Sequence, residues 1–129
     1  MNFSVSTLPL AGKKGLILGL ANEHSIAYGC ARMARFHGAD VVGTCLNEKA
    51  LRFVQPLSQE LDIPIYPCDV EQPGELEKLV ERAVAQLGQL DFVIHSIAWA
   101  PLAELHGQVI DSSSIGFSRA MEVSCHSFA

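Results

Sequence analysis

The amino-acid sequence predicts an α/β fold with a doubly wound parallel sheet. Short apolar, strand-like segments alternate with amphipathic, helix-like segments four times along the 129 residues. Gly38 and Gly88 close two of the helix-like segments, at positions where helices commonly end. This alternation is typical of parallel strands joined by right-handed crossover helices. Because the pattern supplies about four strands, we expect a sheet that is truncated after the fourth.

Local patterns predict where each strand and helix lies. Clustered apolar and β-branched residues predict strands over 15–18, 41–45, 63–66 and 92–95. Apolar residues at three- and four-residue steps predict helices over 25–37, 48–61, 73–87 and 112–129. We expect Pro56 to kink or interrupt the second helix, and Pro73 to lie in the first turn of the third.

The apolar residues also predict which surfaces are buried. The predicted buried face of the first helix consists of Ile26, Cys30, Met33 and His37. That of the third helix consists of Leu76, Leu79, Val80, Ala83, Val84 and Leu87. The fourth strand is almost wholly apolar, as expected for a parallel strand that is covered on both faces.

The last part of the sequence bears on domain organisation. An apolar helical pattern that includes Ile115, Phe117 and Met121 runs to Ala129 without a terminating glycine or proline, and no fifth strand follows. A doubly wound sheet that binds a whole dinucleotide has two such halves. We therefore expect an N-terminal lead-in over 1–14 and the N-terminal half of a nucleotide-binding domain over 15–129. The alternative is a natural domain with a frayed end.

Composition argues against several classes of function. The net charge of −5, with no basic cluster beyond Lys13 and Lys14, argues against a nucleic-acid surface. No apolar run approaches the roughly 20 residues that a membrane span needs. The four cysteines are widely spaced, and the histidines form no metal-ligand spacing. We therefore expect no metal site and a reduced, cytoplasmic protein.

The segment from Gly15 to Gly29 predicts a phosphate site. It consists of an apolar strand, a short polar loop and a helix that begins near Ser25. Amides at the start of a helix lack intrahelical acceptors, and the helix dipole favours negative charge there. Gly19 allows the backbone to approach a ligand closely, and the small Ala27 lets the helix lie near the strand. The alternative is a strand–helix turn that binds nothing.

Further features follow the other predicted strands, where ligands bind in open α/β sheets. They are Leu46, Asp69-Val70 and Ser96-Ile97-Ala98. At these positions the chain resembles the short-chain dehydrogenase/reductase superfamily and, within it, the NADH-dependent enoyl-acyl carrier protein reductases of type-II fatty acid synthesis. The long loop from Gly19 to Ala27 and the run from His95 to Ala98 differ from ordinary members and are similar to the enoyl reductases. The resemblance implies the N-terminal part of a Rossmann-like NAD(P)-binding domain.

The resemblance implies roles for the residues that would bind the cofactor. Gly19, Ser25 and Ile26 would contact the pyrophosphate and the adjacent ribose of NADH. Asp69 would accept a hydrogen bond from the adenine amino group, and the Val70 amide would bond the adenine ring. The alternative interpretation of Asp69 is an ordinary turn or helix N-cap aspartate.

The resemblance also implies which residues would lie near the nicotinamide and the substrate. Ile97 would border the ribose and nicotinamide, and Ala100 would lie where the acyl thioester approaches. Loop packing is the alternative for both residues. Leu46 stands where the family often has a polar residue, so the choice between NADH and NADPH stays open at that position. Because no arginine or lysine directly follows the second strand, we favour NADH over NADPH.

The implied activity is the reduction of trans-2-enoyl thioesters, carried on acyl carrier protein, in a homo-oligomeric enzyme. The family's catalytic pair is a tyrosine and a lysine that follow a fifth strand. This chain has only Tyr28 and Tyr66, within a predicted helix and strand, and no lysine after Lys78. We therefore assign no catalytic residue and expect the chain to be inactive alone. The alternatives are a degenerate, non-catalytic nucleotide-binding module and another short-chain reductase such as a ketoacyl reductase.

Overall fold

The computed structural model describes residues 8–129, so the predicted lead-in over 1–14 falls partly outside the described residues. Within this described range, the sheet has four parallel strands in the order β3-β2-β1-β4. Their bounds are β1 Lys14–Leu18, β2 Asp40–Cys45, β3 Ile65–Pro67 and β4 Phe92–His95. Gly15 of the central strand β1 pairs with Val41 on one side and with Phe92 on the other. This order confirms the predicted doubly wound parallel sheet.

Between residues 8 and 129, four α-helices accompany the strands. Their bounds are α1 Ile26–Phe36, α2 Glu48–Leu61, α3 Glu75–Leu87 and α4 Ser114–Ser124. Short 3-10 turns occupy Leu102–Leu105, Val109–Asp111 and His126–Phe128. No helix within the described residues has the length and apolar character needed to cross a membrane.

Several predicted boundaries shift for local reasons. Pro73 lies in a turn rather than in α3, because Gly74 adopts a left-handed conformation (φ 81°) and caps the helix that follows it. Pro56 does not interrupt α2, which continues through it. The third strand begins later than predicted, because the Ile63 amide donates to the Ser58 carbonyl and belongs to the end of α2.

The buried face of α1 differs from the predicted one. Its buried residues are Ala27, Ala31 and Ala34, which pack against the sheet with the aliphatic residues of β1 and β2. Ile26 and Met33, both predicted to be buried, are 77% and 52% exposed. Because alanine has only a methyl group, this face brings the helix axis close to the strands, and the larger side chains point away. The predicted face was therefore wrong.

The opposite face of the sheet packs against α3. Leu79 and Ala83 of this helix join Leu16, Leu18 and Val42 of the strands in a second buried cluster. Val80 and Val84, which the apolar pattern also placed in the core, are exposed. Helices therefore cover both faces of the sheet, as a doubly wound fold requires.

The strand β4 lies at an edge of the described sheet. Val93 on this strand is 42% exposed, so the prediction that β4 is covered on both faces was wrong. Ile115 and Phe117 of α4 are exposed as well, although the sequence pattern placed them on an apolar side of this helix. Apolar side chains are therefore exposed on the β4 and α4 side of the chain.

Candidate functional site

A groove of about 400 Å³ lies where the four strands end at their carboxyl sides. It is lined by Gly19 and the segments 44–47, 68–71 and 96–99, together with Arg119 and Val123 of α4. Cavities of about 300–1,000 Å³ are typical of small-molecule and cofactor sites. In open α/β sheets, ligands bind outside the carboxyl ends of the strands, where the strand order reverses. This groove is therefore the candidate site.

Gly19 forms the floor of the groove, and only glycine fits there. Its φ is 99°, and a Cβ at this position would stand 2.1 Å from the Ser96 carbonyl oxygen. The Gly19 amide donates to the Thr44 hydroxyl over 3.3 Å, and the Leu20 amide donates to the Thr44 carbonyl over 2.8 Å. The buried Thr44 therefore fixes the turn after β1. Sequence reasoning missed it, because a β-branched residue in a strand segment indicates only the strand.

The start of α1 flanks the groove without lining it. Ser25 is the N-cap, and its hydroxyl accepts from the Tyr28 amide over 3.4 Å and donates to the Asn22 carbonyl over 2.7 Å. The amides of Ile26 and Ala27 meet no acceptor among residues 8–129. The helix start thus offers free donors beside the groove, as predicted for a phosphate site, but Ser25 and Ile26 do not contribute to its walls.

The segment after β3 brings Asp69 and Val70 into the groove wall. The Asp69 amide donates to Glu75 Oε2 over 2.6 Å, and Asp69 Oδ1 accepts from the Glu71 amide over 3.0 Å. The second bond makes Asp69 a turn-forming aspartate, which was the alternative interpretation of this residue. Asp69 Oδ2 and the Val70 amide make no hydrogen bond within the described part of the chain, so these two residues of the groove wall each keep one uncommitted polar group.

The segment after β4 holds one predicted residue in the groove and leaves another outside it. Ile97 lines the groove, whereas Ala100 is half-buried beside the groove and does not line it. The Ser124 hydroxyl accepts from the Trp99 amide over 2.9 Å and donates to the Trp99 carbonyl over 3.0 Å. This double contact from α4 fixes the backbone just before Ala100.

Leu46 lies at the end of β2, as predicted, and lines the groove with an exposed side chain. The neighbouring Asn47 caps α2 by accepting from the Ala50 amide over 3.0 Å. No lysine or arginine from this end of β2 lines the groove.

Three residues that the sequence did not connect meet at the rim of the groove. Arg119 donates from Nε to Glu71 Oε1 over 2.7 Å and from Nη2 to Glu71 Oε2 over 3.2 Å. Its guanidinium carbon lies 4.4 Å from the ring centre of Trp99. The Arg119 bond holds the pKa of Glu71 below its ordinary value, and Glu71 raises the pKa of Arg119. Glu71 and Arg119 stand 48 positions apart, so no local pattern could have predicted their contact.

Neither the thiol in the groove nor the two tyrosines are placed to act as catalytic groups there. Burial raises the pKa of the Cys68 thiol, which lines the groove, to about 11, so it stays protonated at neutral pH. The Tyr28 hydroxyl donates to Glu60, and the Tyr66 hydroxyl donates to Gln86, each over 2.8 Å and away from the groove. The described residues contain no cluster of potential metal ligands.

Comparisons with known proteins show which family the chain resembles. The family model described as enoyl-(acyl carrier protein) reductase matches residues 19–129. The enoyl-(acyl-carrier-protein) reductase (NADH) 2 of Rhizobium meliloti is 41% identical over 118 residues, which cover 91% of this chain and 44% of that protein. The relative from Aquifex aeolicus is 38% identical and matches 92% of this chain and 44% of its own length.

Comparison with solved structures also finds enoyl-(acyl-carrier-protein) reductases. An enoyl-(acyl-carrier-protein) reductase from Anaplasma phagocytophilum, solved in complex with NAD, superposes with a TM-score of 0.86 at 37% identity and covers 92% of this chain and 46% of that one. The structure from Candidatus Liberibacter asiaticus superposes with a TM-score of 0.86 at 40% identity, over 92% of this chain and 46% of that one. The chain thus spans a little under half the length of the relatives it matches. The chain belongs to the enoyl-(acyl carrier protein) reductase family.

Proposed function

We propose that the chain forms the dinucleotide-binding part of an NADH-dependent enoyl-acyl carrier protein reductase. The observation that carries this proposal is the single groove to which the ends of all four strands contribute. Its floor at Gly19 is shaped by backbone, which lets a ligand approach closely. The free amides of Ile26, Ala27 and Val70 suit the phosphate oxygens and the ring nitrogens of a dinucleotide. The relatives are named as NADH enzymes, which also supports the choice of cofactor.

The adenosine end of the cofactor lies between the segments after β2 and β3. Asp69 Oδ2 accepts from the adenine amino group, since Oδ1 is already used by the turn. The Val70 amide donates to the adenine ring, and Leu46 packs against the adenosine. Because Oδ1 forms the turn and Oδ2 accepts from adenine, Asp69 can form the turn and bind the cofactor at the same time.

The pyrophosphate lies beside Gly19 and the start of α1. The Ile26 amide reaches it from the flank of the groove, where the positive end of the helix dipole favours anions. Ser25 lies beside the pyrophosphate and holds this helix start as its N-cap, because its hydroxyl proton is donated to the Asn22 carbonyl. Ile97 borders the ribose and nicotinamide at the end of the groove formed by β4. When bound, NADH supplies the hydride for the reduction.

The substrate class follows from the family rather than from the groove alone. We propose a trans-2-enoyl thioester carried on acyl carrier protein, which would approach past Ala100. Neither tyrosine of this chain faces the groove, because Tyr28 and Tyr66 are hydrogen-bonded elsewhere. The residues of this chain therefore bind and orient the cofactor, and the protonation step depends on groups that this chain does not contribute.

The groove favours NADH over NADPH. A 2′-phosphate on the adenosine ribose is usually held by an arginine or lysine near the end of the second strand. Here that position is the apolar Leu46, and the Asn47 side chain is committed to capping α2. Arg119 is the cation in the groove wall, and it is paired with Glu71.

Two further properties are proposed for the enzyme. We propose a cytoplasmic location, which is supported by four cysteines that all carry free thiols. We also propose a homo-oligomer, which is supported by the exposed Ile115 and Phe117 on α4.

The experiment that tests the function is a titration of the chain with NADH. Trp99 is the only tryptophan of the chain and lines the groove. Because NADH absorbs light at the wavelengths where tryptophan emits, binding should quench Trp99 emission, and calorimetry should report the same Kd. NADPH should bind more weakly, and enoyl thioester should not be reduced by the chain alone. An unchanged emission and no heat on addition of NADH would overturn the proposal.

A further inference from the structure

The rim of the groove carries a three-residue contact, the clasp, formed by Glu71, Arg119 and Trp99. Glu71 belongs to the segment after β3, and Trp99 belongs to the segment after β4. Arg119 on α4 joins them, with two hydrogen bonds to the carboxylate and its guanidinium stacked on the indole ring. The clasp therefore connects the two segments that form opposite rims of the groove.

The clasp contributes little to the stability of the fold. The side chains of Arg119 and Glu71 are 54% and 33% exposed, and exposed ion pairs contribute about 0–1 kcal/mol. Its geometry is nevertheless well defined, because a two-pronged arginine–carboxylate contact fixes orientation as well as distance. An aromatic ring below the same guanidinium adds an attraction of about 0.5–1 kcal/mol at exposed sites. A weak but directional contact of this kind suits the positioning of loops.

A chain of contacts links the clasp to the proposed cofactor contacts. The Glu71 amide donates to Asp69 Oδ1, so the position of Glu71 sets the direction of the Asp69 carboxylate. On the other rim, Trp99 is held through its ring by Arg119 and through its backbone by Ser124, both on α4. Ile97 lies two residues before Trp99 in the same segment. Helix α4 therefore fixes both rims relative to each other.

We propose that Arg119 is a positioning residue for NADH: through the clasp it holds the rims at the separation and orientation that the cofactor needs. The inference rests on the proposed function, because it assumes that the groove binds NADH. Arg119 itself is not assigned a contact with the cofactor. Its effect passes through Glu71 to Asp69 on one rim and through Trp99 on the other.

The test compares variants of the clasp with a matched variant elsewhere. Arg119→Met removes both arms of the clasp, Glu71→Gln removes the charge of one arm, and Arg119→Lys keeps the charge without the fork. Arg82 is the control, because its guanidinium lies 4.6 Å from the ring centre of Tyr66, outside the groove. Arg82→Met therefore removes a similar arginine–aromatic contact without touching the clasp.

We expect Arg119→Met and Glu71→Gln each to weaken NADH binding by about three- to tenfold. The double variant should bind no more weakly than Arg119→Met, because both changes break the same contact. Arg119→Lys should restore part of the affinity, and Arg82→Met should leave the Kd unchanged. In the free chain, Trp99 emission should change with Arg119→Met and stay unchanged with Arg82→Met.

Several outcomes would overturn the inference. An Arg119→Met variant that binds NADH within twofold of the unmodified chain would do so. A double variant that binds NADH clearly more weakly than Arg119→Met would also do so, because the two residues would then act independently. If thermal melting shows that Arg119→Met does not fold, Glu71→Gln decides instead: binding of NADH within twofold of the unmodified chain would overturn the inference. Failure of the unmodified chain to bind NADH would overturn the proposed function and this inference with it. Normal binding by all the variants would overturn only the inference.

Discussion

Gly19 and Ser96 approach so closely that the carbonyl oxygen of Ser96 occupies the space where any side chain at position 19 would begin. The two residues follow the neighbouring strands β1 and β4, which are hydrogen-bonded to each other. The contact therefore joins the turn after the central strand to the turn after the edge strand. Two of the segments that form the groove are positioned by this one approach.

We expect Gly19→Ala to abolish measurable NADH binding. The added Cβ would lie 2.1 Å from the Ser96 oxygen, and the φ of 99° is unfavourable for alanine, so one of the two turns must move. Gly29→Ala is the matched control, because Gly29 lies in α1 and a Cβ there meets nothing within 4 Å. Calorimetric titration of both variants with NADH measures the effect. Equal affinities in the two variants would contradict the assigned role of Gly19.

Thr44→Val should lower both the stability of the fold and the affinity of the groove for NADH. Valine has a shape similar to threonine but no hydroxyl, so the Gly19 amide would lose its acceptor. An unsatisfied polar group of this kind lowers the free energy of unfolding by about 1–3 kcal/mol, which urea denaturation can measure. Thr44→Ser keeps the hydroxyl and should retain NADH affinity. If the serine and valine variants bind NADH equally, the hydroxyl does not position the turn.

The Cys68 thiol should make stability depend on alkaline pH. Burial raises its pKa from 9.0 to about 11, so the folded state favours the protonated thiol. The resulting stability is fully present below pH 9, the pKa of the thiol in the unfolded chain, and is lost as the pH rises through about 11, its pKa in the folded chain. Urea denaturation from pH 8 to pH 11 should show a steeper loss for the unmodified chain than for Cys68→Ala. Cys125→Ala is the control, since Cys125 is exposed. If the free energy of unfolding falls with pH equally in the unmodified chain and in Cys68→Ala, the raised pKa assigned to Cys68 is contradicted.

The edge strand β4 should promote self-association of the chain at high concentration. Edge strands expose unpaired backbone groups, and Val93 adds exposed apolar surface. Val93→Lys should raise the monomer fraction in sedimentation velocity, because lysine on an edge opposes strand addition. Val84→Lys is the control: this residue is 39% exposed, close to the 42% of Val93, but lies on α3. Equal shifts in the two variants would place the association elsewhere.

The sequence predicted the order of the elements and most of the positions that line the groove. The strand β4 has the predicted bounds, and Gly19, Asp69, Val70 and Ile97 all line the same groove. These features follow from patterns that are local in sequence. In a parallel sheet, the carboxyl ends of all strands lie at one edge, so predicting the strands was enough to bring the residues after them together.

The contacts that depend on three-dimensional packing were not predictable in this way. The small Ala27 correctly predicted that α1 lies close to the strand, but the apolar pattern wrongly placed Ile26 in the core, because close packing of this helix buries Ala31 and Ala34 instead. The clasp between Glu71 and Arg119 joins two elements that are distant in sequence. Ala100 lies only one residue beyond a groove residue, and neighbouring loop positions differ in direction in a way that sequence spacing does not specify.

The strand order β3-β2-β1-β4 determines where the groove lies. After β1 the chain winds toward one edge of the sheet, and before β4 it returns to the other side, so the connections beside these two strands depart in opposite directions. The gap between these connections, which is the groove, is therefore a consequence of the strand order and does not depend on the shape of any particular side chain. Away from the turn contacts of Gly19 and Thr44, substitutions in its walls can therefore retune what the gap accommodates while leaving the gap itself in place.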